Sequence, residues 1–314
     1  MNTPSNVQPE PAADSQGLAP TAIPAIPATR PMYWSVRREL WENRSIYIAP
    51  LVVAAVVLFG FLIRTITLPH RMRAVLALDP AHQRQAIAMP YSFVAALLIA
   101  TAFVVGVFYC LDALHGERRD RSILFWKSLP VSDRTTVLSK AMIPLVVLPP
   151  LTFAVIVATQ LIMLLLSTAA LLGNGPSVAM LWDQLPWFAM PVGLLYALII
   201  IALWHAPVYG WLLLVSGWAR RATFLWAVFP LLAVCVVEKI AFNTSHFAFL
   251  LRYRLIGWFT QGFDFKPHGT AAIDPLTQLT PAKFLSTPGL WVGLAFAAIF
   301  LAVAVRLRRY REPL

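Results

Sequence analysis

The chain predicts an all-α polytopic membrane protein, with six transmembrane helices preceded by an N-terminal interfacial helix. Three observations carry that fold class. Hydrophobic residues fill 59% of the 314 positions and charged residues only 12%, where soluble domains hold about a quarter charged. The apolar residues gather into six runs, most of them near the ~20 residues needed to cross a ~30 Å hydrocarbon core. Basic residues flank these runs rather than fill them, and the formal net charge is +11. A basic excess beside apolar spans fits membrane orientation and anionic lipid headgroups, and it excludes nucleic acid as the natural partner.

Residues 1–31 hold seven prolines and a single basic residue, Arg30. No charged start followed by an apolar core marks a secretory signal. The composition predicts a disordered cytoplasmic tail, leaving 32–314 as one transmembrane domain. Residues 32–44, MYWSVRRELWENR, place Tyr33, Val36 and Leu40 at helical spacing with Trp41 beside them. Arg37, Arg38, Glu39 and Glu42 fall largely to the other side. A basic, tryptophan-bearing amphipathic helix next to a span predicts one that lies in the membrane interface.

The first two spans are predicted at 46–63 and 91–111, joined by a polar stretch with four arginines. The third is predicted at 145–172. Pro144, Pro149 and Pro150 predict a bend or break near the last two. Gly173 to Pro176 reads as a turn. The fourth span is predicted at 188–215, the fifth at 223–240 and the sixth at 290–305. Between the last two, residues 247–259 are apolar but interrupted by Arg252 and Arg254. That run is short for a crossing, so an interfacial or re-entrant helix is expected. With six crossings both termini share a side, which carries sixteen of the 25 basic residues. The positive-inside rule makes that side the cytoplasm of a cell membrane.

Motifs for chemistry are absent from the sequence. It contains no GxxxxGK[ST] loop, no HExxH and no GxSxG elbow. Asp112 and His115 lie three apart, but two ligands do not make a metal site. Cys110 and Cys235, the two cysteines, read as free thiols in apolar surroundings. No enzyme activity and no cofactor are expected. Polar groups within spans are costly and often functional, which makes Gln160 and His205 candidate pathway residues. Trp204, Val208 and Trp211 share a helix face, and Gly210 and Gly217 invite close helix contact.

The connector between the second and third spans is the most distinctive stretch. Residues 110–140 contain six of the basic residues and a compact apolar run, Ile123-Leu124-Phe125-Trp126. On a helix these four fan round about 300°, so one surface cannot cover them all. Exposed runs of this kind need a partner. Asp120 or Ser122 suits a helix start, Pro130 a stop, and Ser132 or Asp133 the cap of the next helix. A short apolar helix docking in a groove is a recurrent recognition mode. Three classes remain open on these residues alone. They are a transport subunit driven by a partner, an ATPase-independent ion- or proton-coupled transporter using Gln160 and His205, and a membrane assembly scaffold.

At GERRDRSILFWKSLPVSDRTTVLSK (116–140) the chain resembles the permease subunits of ATP-binding cassette (ABC) transporters of the second exporter type. The resemblance extends over about 32–305 and includes the helix before the first span and the long segment before the last. It implies a cytoplasmic coupling helix in the connector. Asp120, Arg121, Ser122, Ile123, Leu124, Phe125 and Trp126 would touch a separate ATPase subunit, which would bind ATP. It also implies a second permease chain. Many members carry a Gly-Thr-Leu-Glu-like run where this chain has Ser122 to Phe125, without the glutamate.

Overall fold

A computed structural model describes residues 29–120, 132–172, 175–186, 188–263 and 278–310. Every element among them is helical, apart from an isolated bridge between Phe263 and Leu279. Six helical stretches are long and apolar enough to cross a membrane, which makes the chain an all-α, multi-pass membrane protein. The expected tail, residues 1–28 in particular, lies outside the described residues.

Helix α1 (Thr29–Glu42) precedes α2 (Ser45–Thr65), the first span. A short α3 (Leu68–Leu76) leads to α4 (Pro80–Ala113), the second. This helix starts well before the predicted Tyr91. Asp79 caps it by accepting from the His82 N–H, and Pro80 occupies a first-turn position where no N–H is needed. A single turn, α5 (His115–Arg119), follows. After the connector comes α6 (Asp133–Met142), whose cap is Ser132; its Oγ accepts from the Thr135 N–H at 3.1 Å. The third span continues through a π-helical turn, Ile143–Val147, into α7 (Leu148–Leu171).

The disturbance expected near Pro149-Pro150 is a local widening of the helix rather than a break. Both prolines follow the π turn in a continuous helical stretch, and the residues four before them, Leu145 and Val146, lie inside that turn. Pro144 lies inside the same π turn. Proline removes an i→i−4 bond and crowds the carbonyl four residues back, and the wider turn lies where Pro149 and Pro150 impose both.

Helix α8 (Gly175–Gln184) lies at the loop before α9 (Ala189–Trp218), the fourth span. The fifth span, α10 (Thr223–Phe242), begins and ends at left-handed residues, Ala222 (φ 50°) and Asn243 (φ 51°). Asn tolerates this conformation; at Ala222 the short turn imposes it. Helix α11 (His246–Gly262), a short α12 (Pro281–Ser286) and the last span, α13 (Pro288–Tyr310), complete the chain.

Connectivity gathers the start of α2, the ends of α4, α9 and α13, and all of α1, α5 and α6 at one end, here the near end. One buried cluster sits there, around Ile46, Cys110, Ile143, Tyr209 and Leu213. A second lies towards the far end, around Leu98, Ile156, Met163 and Leu171. The most extensive helix pair is α9 with α13. Gly210 lies at this contact, where a Cβ would stand 3.3 Å from the Ala297 carbonyl oxygen. Outward faces of α2 (Leu51, Val56, Phe59) and α10 (Phe229, Leu232, Ile240) are exposed and apolar, as lipid requires.

Helix α11, with 17 residues, is shorter than any of the six candidate spans. Glu238, near the end of α10, holds its first turn by accepting from the N–H groups of His246 (2.7 Å) and Phe247 (2.8 Å). The Leu255 carbonyl faces His205, halfway along α9, and the Gly262 carbonyl accepts from Tyr196, nearer the far end. The start of α11 is thus tied to the end of α10 and its last turn to the far half of α9.

Candidate functional site

Helix α1 is anchored by its polar residues, opposite to the expectation that they face away. Val36, Glu39 and Leu40 follow the i, i+3, i+4 spacing of one face, and that face packs on the bundle. Glu39 is 0% exposed. Trp34 and Trp41, at 58% and 70% exposed, point outward instead. A carboxylate turns inward here because three donors await it. Lys140 Nζ and Arg38 Nη2 each donate to Oε1 at 2.8 Å, and the Tyr109 hydroxyl donates to Oε2 at 2.9 Å.

The pairing continues from Lys140. Lys140 is 2% exposed, and its ammonium also lies 3.1 Å from Glu117 Oε1. Arg38 Nη2 reaches the same oxygen at 3.3 Å. Glu117 Oε2 accepts from Arg308, whose Nε donates to Asp133 Oδ1 at 3.1 Å. Three cations and three carboxylates thus alternate from α1 through α6 and α5 to the end of α13. Burying one charge costs several kcal/mol, and only a partner of opposite sign with filled hydrogen bonds offsets it. At the edge of the group burial raises the Glu42 carboxyl above its ordinary range, against the pull of Arg38 at 3.5 Å.

A second clasp fixes the bend between α4 and α5. Ser216 Oγ accepts from the N–H groups of Leu114 (3.0 Å) and His115 (2.9 Å). Arg118 Nη1 donates to the carbonyls of Gly217 (3.0 Å) and Ala219 (3.2 Å). A guanidinium at a helix C-terminus satisfies orphan carbonyls and meets the negative end of the dipole. The two clasps together hold both flanks of the 121–131 connector, Glu117 and Arg118 before it, Asp133 and Lys140 after it. The assembly is a joint of ion pairs and hydrogen bonds that ties α1, α5, α6, α9 and α13 together.

Of the expected contact residues, Asp120 is exposed and accepts from Arg119 Nε at 3.1 Å. Arg121, Ser122, Ile123, Leu124, Phe125 and Trp126, with the expected coupling helix, lie outside the described residues. Gln160 donates to the Tyr91 carbonyl at 3.2 Å, tying α7 to α4. His205 is buried, with Nδ1 2.9 Å from the Ile201 carbonyl and Nε2 3.2 Å from that of Leu255. A neutral imidazole has one N–H and can donate to one of them at a time. Its ring also lies edge-on to Phe103, 5.0 Å between centroids. Tyr91 and Phe103 are twelve positions apart on α4, which separates the surroundings of Gln160 and His205 by about 18 Å along that helix.

Asp112 and His115 do not converge: Asp112 faces Arg119 at 3.8 Å, and His115 Nδ1 lies 3.3 Å from the Ala219 carbonyl. Trp204 is buried against Tyr253 and Phe284, and Trp211 donates to the Ala227 carbonyl. Sequence reading missed Glu39, Glu117, Lys140 and Arg308. A signal was present. Glu39 sits between Val36 and Leu40 on an inward face, and Lys140 opens an apolar run. Comparison with protein-family models, curated proteins and solved structures finds no match to this chain.

Proposed function

We propose that this chain is the permease subunit of an ABC exporter of the second type, paired with a second permease chain and driven by a separate ATPase subunit. In this reading the near end is cytoplasmic. The connector, with Asp120 to Trp126, docks into the ATPase, and ATP-driven closure of the ATPase subunits moves it. The observation that carries the reading is the joint itself. Both flanks of the connector are ion-paired to α1 and α13, so displacement of the connector reaches the first, second, third and last spans together. Rigid-body coupling needs such a packed element. Further support comes from the sequence of 116–140, the helix before the first span and the shorter helix between the fifth and last spans.

The test is co-purification and reconstitution with the ATPase encoded in a neighbouring reading frame. The double variant Phe125→Ala, Trp126→Ala is expected to insert normally, to lose most co-purification, and to hydrolyse ATP without ATP-dependent transport. Normal coupling in that variant would sink the proposal. So would transport by the isolated chain in liposomes without ATP, which favours an ion-coupled mechanism.

A further inference from the structure

We propose that the outward face of α1 binds the phosphate headgroup of an anionic membrane phospholipid. Trp34, Arg37, Trp41, Glu42, Arg44 and Tyr47 line an open groove of about 860 Å³ there, together with Arg38, which is held by the carboxylates of the joint. Arg37 lies between two indoles, its guanidinium carbon 5.1 Å from the Trp34 ring centroid and 5.2 Å from that of Trp41. Stacking on ring faces holds the guanidinium plane while its N–H edge stays open to solvent. That edge matches two oxygens of a phosphate.

Charge selects the occupant. Neither Arg37 nor Arg44 has an acidic partner among the described residues, and Glu42 is engaged by Arg38. The groove therefore presents two uncompensated arginines. Position selects a lipid over a free anion. The groove runs from α1 onto Tyr47, in the first turn of the first span, where a bilayer surface meets the protein. Exposed indoles at that level favour the headgroup region. The opposite side of α1 is fixed by the Glu39 pairs, so this face cannot roll inward without breaking them.

The test is native mass spectrometry of the full chain in non-ionic detergent, titrated with phosphatidylglycerol or phosphatidylcholine. Phosphatidylglycerol is expected to be retained about 30-fold more strongly, from two arginines at ~1 kcal/mol each. Arg37→Gln and Arg44→Gln should each lower that preference about fivefold, from ~1 kcal/mol per basic residue at an anionic surface. Their melting midpoints should stay unchanged, and Arg71→Gln, an exposed arginine on α3, should leave the preference intact. Equal retention of the two lipids, or an unchanged preference in the double arginine variant, overturns the proposal. Displacement by equimolar glycerol phosphate overturns the lipid as source. The measurement uses neither ATPase nor transport, so its failure is distinct from failure of the permease reading.

Discussion

The Lys140 ammonium stands 2.8 Å from the Glu39 carboxylate, with both side chains almost wholly withdrawn from solvent. The pair joins helices that are 101 residues apart in sequence. Removing one member strands the other. Lys140→Met should cost ~3–5 kcal/mol, the usual penalty for an orphaned buried charge. The midpoint of thermal unfolding in detergent reads it. Glu39→Gln in the same chain should restore part of the loss. Strictly additive losses would show that the two residues are not coupled.

Close packing of α9 on α13 depends on Gly210. Gly210→Leu should lower stability by ~1–3 kcal/mol, because the new side chain meets the Ala297 backbone rather than a flexible tip. Gly193→Ala, on the same helix with open space around it, should be neutral or slightly stabilising. Equal effects at the two sites would refute the contact.

Ser216 accepts two backbone donors at the bend between α4 and α5. Ser216→Ala should cost ~1–3 kcal/mol, the penalty for unpaired buried donors. Hydrogen exchange should speed up at Leu114 and His115 while the middle of α4 stays protected. Unchanged protection at those two amides would show that water or a rearranged neighbour replaces the hydroxyl.

Glu238 serves α11 as a cap supplied from the preceding helix. In Glu238→Ala, amides from His246 to Phe249 should exchange faster, and the amides of α13 should not. Uniform acceleration across the chain would mean that the substitution acts globally instead.

Hydropathy made the six spans legible because lipid demands continuous apolar runs, and all six fall where the composition places them. Their ends were less legible. Asp79-Pro80 extends α4 through a polar stretch that a hydropathy window discounts, and Ser132 extends the third span back through α6. The joint was hidden for a different reason. Glu117-Arg118-Arg119-Asp120-Arg121 reads as a solvated face, yet Glu117 and Arg118 are buried while Arg119 and Asp120 are exposed. Only the fold brings Lys140 and Arg308 to Glu117, and no local spacing encodes that. The same holds for α1, where the stronger attraction of three donors for Glu39 overrides the preference of Trp41 for shelter.

The π turn at Ile143–Val147 inserts about one residue into what is otherwise a single rod from Asp133 to Leu171. One residue is about 100° of azimuth. The face of the rod that meets the ions and the face that meets the far-end core are therefore phased independently. Shortening the rod by Val146 would force a choice: either Lys140 swings away from Glu39, or Ile156 swings out of its cluster.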